Sequence, residues 1–200
     1  MRPNPLLKRY LHAPVYDRLY AATQSLGVPV IVKEIMGSVL PEIGAERYPA
    51  SLYEAKNVVD PFEVMLAFLS FFGANVAERF PDLKVGFAGA GAGWLPFWLE
   101  RHEEHWGGVP FGNDCPSTLP ADWLFPKQGF VVADPWETTV PEVVELVDDG
   151  CVLWGSFYPL PEAVTTFPNG AEKLVNDNRL AREAKERVLW GNAAELFRVS

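Results

Sequence analysis

Short apolar runs alternate with amphipathic segments along most of this chain. Four runs are almost continuously apolar: Pro29 to Lys33, Leu83 to Ala88, Gly129 to Ala133 and Cys151 to Ser156. Strands that are buried on both faces of a parallel sheet have this continuous pattern, whereas strands with one solvent face alternate apolar and polar residues. The runs therefore predict four buried parallel strands.

A segment with helical periodicity follows each apolar run. The predicted helices are Pro61 to Phe80, Trp94 to His105, Val140 to Val147 and Ala181 to Phe197. A further helix, Val15 to Ser25, precedes the first strand and ends near Gly27, a residue that suits a helix C-terminus. A helix followed by strand–helix units indicates an α/β protein with a parallel sheet, and we expect residues 1–200 to form one domain.

Composition and charge narrow the classes of partner. Hydrophobic residues make up 48% of the 200 residues and aromatic residues 13%, which is enough for a sizeable core. The net charge of -9 argues against nucleic-acid and anionic-membrane partners, because both attract basic surfaces. No signal peptide or membrane span is evident, so we expect a cytoplasmic protein in which Cys115 and Cys151 are reduced thiols.

Two local motifs have weak functional interpretations. The run GAGAGW, Gly89 to Trp94, lies between a predicted strand and a predicted helix, where backbone N–H groups can bind a phosphate. Its spacing is not that of a dinucleotide fingerprint, so close packing at a strand–helix corner is the favoured interpretation. His102 and His105 have a spacing that can hold a metal, but a solvent-facing helix is the simpler interpretation.

Charged and aromatic residues lie at the carboxyl ends of the predicted strands, where α/β barrels place their active sites. These positions are Lys33, Glu34, Asp134 and Phe157. A desolvated lysine can form a Schiff base with a carbonyl substrate. The alternative is a structural ion pair of Lys33 with Glu34, Asp60 or Asp134.

Several segments, in order, resemble the amidohydrolase-related family, which contains metal-dependent hydrolases and decarboxylases. They are RPNP at Arg2, LGVPVIVKE at Leu26, the stretch from Arg79 to Trp106, VLWGSFYP at Val152 and ERVLWGNAAELF at Glu186. The resemblance implies a partial (β/α)8 TIM barrel, with roughly strands five to eight and their helices.

The chain departs from this family at the metal-ligand positions. Family members carry histidine at the end of strand five, histidine or glutamate after strand six and aspartate after strand eight. The corresponding residues here are Lys33, Gly89 and Phe157. None of them suits a divalent metal such as zinc, which binds nitrogen, oxygen or sulfur donors. We therefore expect no metal ligands and no cofactor, and we expect Phe157 to fill the barrel mouth.

Half a barrel also leaves strand edges and an apolar sheet face uncovered, so we expect a homo-oligomer or a complex with a related barrel subunit. The leading hypothesis is a non-catalytic, amidohydrolase-like half barrel, either an accessory subunit or a truncated gene product. One alternative is an active hydrolase or carboxy-lyase that acts on a small carboxylate, amide or ester through Lys33, Glu34 and Asp60. Another is a small-molecule binding module that uses Trp94, Trp136 and Phe157.

Overall fold

A four-stranded parallel sheet organises the molecule. A computed structural model describes residues 1–3, 9–33, 52–106, 117 and 125–199. The strands are β1 (Val30–Lys33), β2 (Val85–Ala88), β3 (Gly129–Ala133) and β4 (Val152–Trp154). They lie in the order β1-β2-β3-β4, and every neighbouring pair is parallel. The strands predicted from the apolar runs are thus confirmed, together with the α/β class.

Helices connect the strands and cover one face of the sheet. The longer ones are α1 (Asp17–Leu26), α2 (Leu52–Phe68), α4 (Leu95–His105) and α6 (Val140–Leu146). The short ones are α3 (Val76–Arg79), α5 (Phe125–Gln128), α7 (Pro161–Val164) and α8 (Glu172–Val175). The chain closes with α9 (Arg182–Glu186), a π-helical turn (Arg187–Gly191) and α10 (Asn192–Phe197). None of the described helices has the length and apolar character needed to cross a bilayer.

The main core lies between the sheet and its helices. Alternate strand residues such as Val32, Phe87 and Val131 are fully buried on this face. The ring of Phe87 packs against Phe68 at 5.5 Å and Phe71 at 6.1 Å, measured between ring centroids. Such aromatic pairs add to the free energy gained by burying apolar area, so aromatic packing strengthens the centre of this core.

The helix predicted from Pro61 to Phe80 differs from the observed one at both ends. Helix α2 already begins at Leu52 and continues through Pro61. Val59 is buried and already belongs to the apolar side of α2, but proline is far more common in the first turn of a helix than in its interior, so the sequence favours a start at Pro61. At the other end, Asn75 has φ 61°, a left-handed conformation that asparagine tolerates and that interrupts the helix before α3.

The second face of the sheet is covered along the amino ends of the strands. The buried side chains of Phe130 and Leu153 pack there against Leu196 of α10. Helix α10 extends from the start of β4 to the end of α1, where the Arg198 side chain lies against Gly27. The expectation of an uncovered strand face is therefore wrong for this part of the sheet. The sequence predicted a helix over these residues. Its periodicity does not indicate which face of the sheet the helix packs against, because that depends on the tertiary structure.

Groups other than strands occupy both outer edges of the sheet. At β1, the Met1 nitrogen donates to the Ile31 carbonyl at 2.6 Å, and the Lys33 amide donates to the Met1 carbonyl at 2.9 Å. At β4, the buried amide of Asn192 donates to the carbonyls of Val152 at 2.7 Å and Asp149 at 2.6 Å. Each edge thus has part of its hydrogen-bonding capacity used, which reduces its tendency to pair with other chains.

Cys151 is buried at the start of β4, and burial raises the pKa of its thiol to about 12, with the nearby Asp148 carboxylate adding to the shift. Its Sγ donates to the Asp148 carbonyl at 3.1 Å. At pH 8 the thiol is therefore neutral, and only the thiolate reacts with disulfide reagents.

We expect Cys151 to resist thiol reagents in the folded protein. In a Cys115→Ser background, labelling at pH 8 should be at least about 100-fold slower in the folded chain than in urea. Reagent absorbance followed over time measures both rates. Equally fast labelling in the two states would show that Cys151 is not buried as described.

Candidate functional site

The carboxyl ends of β1 and β4 bring together two residues of the candidate site. The Lys33 ammonium lies 5.7 Å from the centroid of the Phe157 ring. This distance is within the range of a cation–π contact, which holds the cation over the electron-rich face of the ring. Lys33 shares its strand face with Ile31, which packs with Phe130 and Val132 on the second face of the sheet. We call this second face the inner face, and the pair lies at its mouth, where the strands have their carboxyl ends.

The backbone around Phe157 directs its ring across the sheet. Phe157 has φ 52°, an unusual conformation for a bulky residue. A Cβ atom added to Gly155 would lie 3.0 Å from Phe157 Cε2 and 2.7 Å from Val132 Cγ1. The absence of a side chain at Gly155 therefore leaves room for the Phe157 ring beside β4, close to Val132 of β3. As a result, the space beside Lys33 holds an aromatic ring.

Glu137 joins two loops at the same end of the sheet. Its carboxylate accepts the backbone N–H groups of Ala92 at 3.0 Å, Gly93 at 2.6 Å and Asp134 at 3.2 Å. The Thr139 hydroxyl donates to it at 2.8 Å. We name this arrangement the Glu137 clamp. It ties the loop after β2 to the loop after β3, and several donors stabilise one internal charge.

The Glu137 clamp explains the glycine run. Gly89 and Gly91 have positive φ values of 94° and 67°, which favour glycine. A Cβ atom on Gly93 would lie 2.3 Å from Thr139 Oγ1. The N–H groups that a phosphate would need thus bind a carboxylate of the chain itself. The interpretation as close packing is confirmed and nucleotide binding is not supported, whereas Glu137 was missed at the sequence level.

The aromatic residues proposed for ligand binding do not form one cluster. The Trp94 ring packs edge-on against Phe68 at 5.7 Å, and its indole N–H donates to the Gly91 carbonyl at 2.9 Å. Phe68 belongs to the core between sheet and helices, so Trp94 is directed away from the inner face that Phe157 covers. Trp136 is exposed, and its carbonyl accepts a hydrogen bond from Lys173.

Two of the three acidic candidates, Asp60 and Asp134, lie within the described residues. Asp60 lies half-buried in α2, and the Asp134 amide joins the Glu137 clamp. Glu34 lies outside the described residues. The alternative catalytic set of Lys33, Glu34 and Asp60 therefore stays a prediction.

His102 and His105 point to different surroundings. The His102 ring packs against Phe68 at 5.7 Å and Trp98 at 5.5 Å, and burial lowers its pKa, with His105 adding to the shift. His105 is exposed, and its Nδ1 lies 2.9 Å from the Arg101 carbonyl. The two imidazoles therefore have separate structural roles at the helix surface.

The chain belongs to the amidohydrolase family, because the model for that family, described as amidohydrolase, matches residues 2–199. This match confirms the resemblance seen in the sequence segments. No curated protein matches the sequence.

Solved structures with the same fold are larger proteins. One is the 5-carboxyvanillate decarboxylase from Sphingomonas paucimobilis, with a TM-score of 0.80, 18% identity, and coverage of 100% of this chain and 58% of that one. An amidohydrolase from Mycobacterium avium subsp. paratuberculosis K-10 has a TM-score of 0.80 and 19% identity, with coverage of 100% and 50%. A dihydroxybenzoic acid decarboxylase from Polaromonas sp. JS666 has a TM-score of 0.71 and 17% identity, with coverage of 95% and 55%.

The chain thus spans between half and three fifths of the length of these relatives. Its four parallel strands and their helices correspond to part of a (β/α)8 barrel, as the sequence predicted. At such low sequence identity, the structural similarity shows the fold alone.

The expectation of no cofactor needs correction. The Polaromonas decarboxylase was solved with bound manganese, which together with the family match points to a divalent metal. Non-donor residues at Lys33, Gly89 and Phe157 exclude ligation only at those positions, whereas metal centres draw donors from several loops. Within the described ranges, no three His, Cys, Asp or Glu side chains converge, so these residues alone do not fit the metal.

Proposed function

We propose that this chain is a non-catalytic half barrel of the amidohydrolase family that serves a related active barrel as an accessory subunit. The observation that carries the proposal is the contact between Lys33 and Phe157. An ammonium group held over an aromatic ring occupies the mouth, where a working site would hold reacting groups and substrate. Phe157 offers no acid, base or nucleophile to a substrate there.

The accessory role is supported by the extent of the fold. The chain covers 58% of the length of the Sphingomonas decarboxylase, and its sheet has two outer edges. Met1 and Asn192 use part of the bonding capacity of these edges without adding a strand. The partial length and the two outer edges both fit a subunit that contributes packing surface to a complex and supplies no reacting groups.

Decarboxylation assays test the proposal. The purified chain, with and without added manganese, would be incubated with 5-carboxyvanillate and 2,6-dihydroxybenzoate, and carbon dioxide release and ring absorbance would be followed. The Sphingomonas 5-carboxyvanillate decarboxylase and the 2,6-dihydroxybenzoate decarboxylase from Rhizobium serve as positive controls, each for its own substrate. We expect no turnover above the rate without protein.

Turnover that rises in proportion to the concentration of the chain would contradict the proposal and would support the carboxy-lyase alternative. A Lys33→Ala variant distinguishes a contaminant from the chain itself. Activity of the chain at this mouth would fall in the variant, whereas activity from a co-purified enzyme would be unchanged.

A further inference from the structure

A cavity lies on the helix side of the sheet, beside the carboxyl end of β4. Trp154 forms part of its wall, and this side chain packs against the core between the sheet and its helices. Pro135, which follows β3, and the segment 166–171 form other walls of the cavity, whose volume is about 240 Å³. We name it the Trp154 cavity. It and the contact between Lys33 and Phe157 lie on opposite faces of the sheet.

Contacts within the chain hold the walls of the Trp154 cavity in place. The ammonium group of Lys173 on α8 donates to the Trp136 carbonyl, which joins the segment after the cavity to the loop that carries Pro135. A Cβ atom on Gly170 would lie 3.0 Å from Pro135 Cβ and 3.3 Å from Trp154 Cζ2, so these walls are in close contact. A ligand that enters a preformed cavity loses little free energy to ordering of the protein.

An aromatic pair borders the Trp154 cavity on its solvent side. Phe167 lines the cavity and stacks on Tyr158, with the ring centroids 4.2 Å apart. The two residues are 52% and 53% exposed, so the pair keeps a large apolar surface in contact with water. Phe167 and Trp154 together offer aromatic surfaces to an occupant, and flat rings pack on such surfaces in offset or edge-on geometry. The lining therefore favours a planar aromatic ligand.

The polar side chains among the described residues that line the Trp154 cavity are uncharged. The Thr166 hydroxyl donates to the Ala163 carbonyl at 2.9 Å, so its hydrogen is used within the chain. The half-buried Ser156 hydroxyl accepts a long hydrogen bond of 3.4 Å from the Tyr158 amide, and no described residue accepts its hydrogen. Ser156 can thus donate to a ligand, whereas a charged ligand would lose its hydration and gain no opposite charge.

The size of the Trp154 cavity suits one substituted ring. An engineered cavity of about 150 Å³ is large enough to bind benzene, and the additional volume here leaves room for a small substituent. We propose that the Trp154 cavity binds an uncharged molecule that has a single aromatic ring and a carbonyl substituent, a ketone or an amide. The ring packs against Trp154 and Phe167, and the carbonyl oxygen accepts a hydrogen bond from Ser156.

A fluorine NMR titration of the full chain with 4-fluoroacetophenone, an uncharged aromatic ketone, tests the inference. We expect saturable binding with a dissociation constant below about 1 mM, as for an efficient ligand of this size. The charged probe 4-fluorobenzoate should show no saturable binding, because the cavity does not compensate the loss of its hydration.

Two probes in one variant isolate the hydrogen bond. In 4-fluoro-α-methylstyrene, a CH₂ group replaces the carbonyl oxygen of the ketone and cannot accept a hydrogen bond. Ser156→Ala should weaken binding of the ketone about 10-fold and leave binding of the hydrocarbon unchanged. An equal loss for both probes would show that Ser156 only maintains the shape of the cavity, and would overturn its assigned role.

Filling the cavity tests its location. Ala171 lines the cavity, so Ala171→Leu should weaken binding of the ketone at least about 10-fold. Ala22→Leu, at an exposed position of α1, is the matched control and should keep the original dissociation constant. Far-UV circular dichroism and the urea midpoint establish that each variant folds, and Ala171→Val replaces the leucine variant if that one does not.

Three results would overturn the inference. They are the absence of saturation in the unchanged chain up to about 10 mM ketone, unaltered binding in a folded Ala171 variant, and loss of binding in Lys33→Ala, which would place the ligand at the mouth of the inner face. We expect Lys33→Ala to bind the ketone normally. The inference is independent of the proposed function, since turnover by the chain would contradict only the latter.

Discussion

Replacing Glu137 with alanine is expected to lower the free energy of unfolding by about 3 kcal/mol. The change removes the acceptor of three backbone N–H groups, those of Ala92, Gly93 and Asp134. Ala92 is fully buried, so its amide has no route to solvent once the carboxylate is gone. Urea unfolding followed by tryptophan fluorescence measures the loss.

Two further variants refine the Glu137 result. Glu137→Gln keeps one acceptor oxygen and should recover about half of the loss, because a neutral acceptor forms weaker hydrogen bonds than a carboxylate. Glu145→Ala removes an exposed glutamate from α6 and should change stability by less than about 0.5 kcal/mol. If Glu137→Ala were as stable as Glu145→Ala, the Glu137 clamp would not exist in solution.

Replacing Asn192 with leucine is expected to cost about 2–3 kcal/mol, although the two side chains have similar volumes. The amide of Asn192 donates to the carbonyls of Asp149 and Val152, and leucine leaves both without this donor. The outer edge of β4 also loses a group that competes with a foreign strand, so the variant should aggregate faster.

Urea unfolding measures the stability of the Asn192 variant. Light scattering at about 37 °C, a temperature at which partly unfolded chains aggregate fast enough to follow, measures its aggregation rate. Asn178→Leu is the control, because Asn178 is exposed. We expect the control to keep the stability and the aggregation rate of the unchanged chain. A stable, non-aggregating Asn192→Leu variant would show that this edge is protected by other means.

The strands were the most predictable part of the fold. Gly129 to Ala133 was predicted with its observed bounds, because Gln128 and Asp134 enclose an apolar run of strand length. Helix α1 and its end at Gly27, which has φ 62°, followed in the same way from local signals. Local composition was sufficient in both cases, since each boundary depends on neighbouring residues.

The candidate site was harder to predict from the sequence than the strands were. The resemblance assigned both Lys33 and Phe157 to the mouth, and the structure places them in contact. The role of Glu137 depends on amides 44 and 45 positions earlier, which no local pattern reports. A glycine run after one strand and an acidic residue just after the next strand is the only sequence signal that indicates such a contact.

Trp94 illustrates a different difficulty. The binding-module hypothesis places it in one site with Phe157, but its ring packs against Phe68 on the other side of the sheet. The residue that precedes a helix can face either the helix layer or the inner face. Which one it faces depends on the path of the loop, and this path is set by Gly91 and the Glu137 clamp.

The position of α10 has a consequence for how the protein is made. The four strands leave the ribosome before α10 does, so Phe130 and Leu153 stay exposed to water until α10 has also emerged. Nascent chains in this interval expose apolar strand surface and are candidates for chaperone binding. A pause in translation between β4 and α10 would lengthen that interval and lower the yield of folded protein.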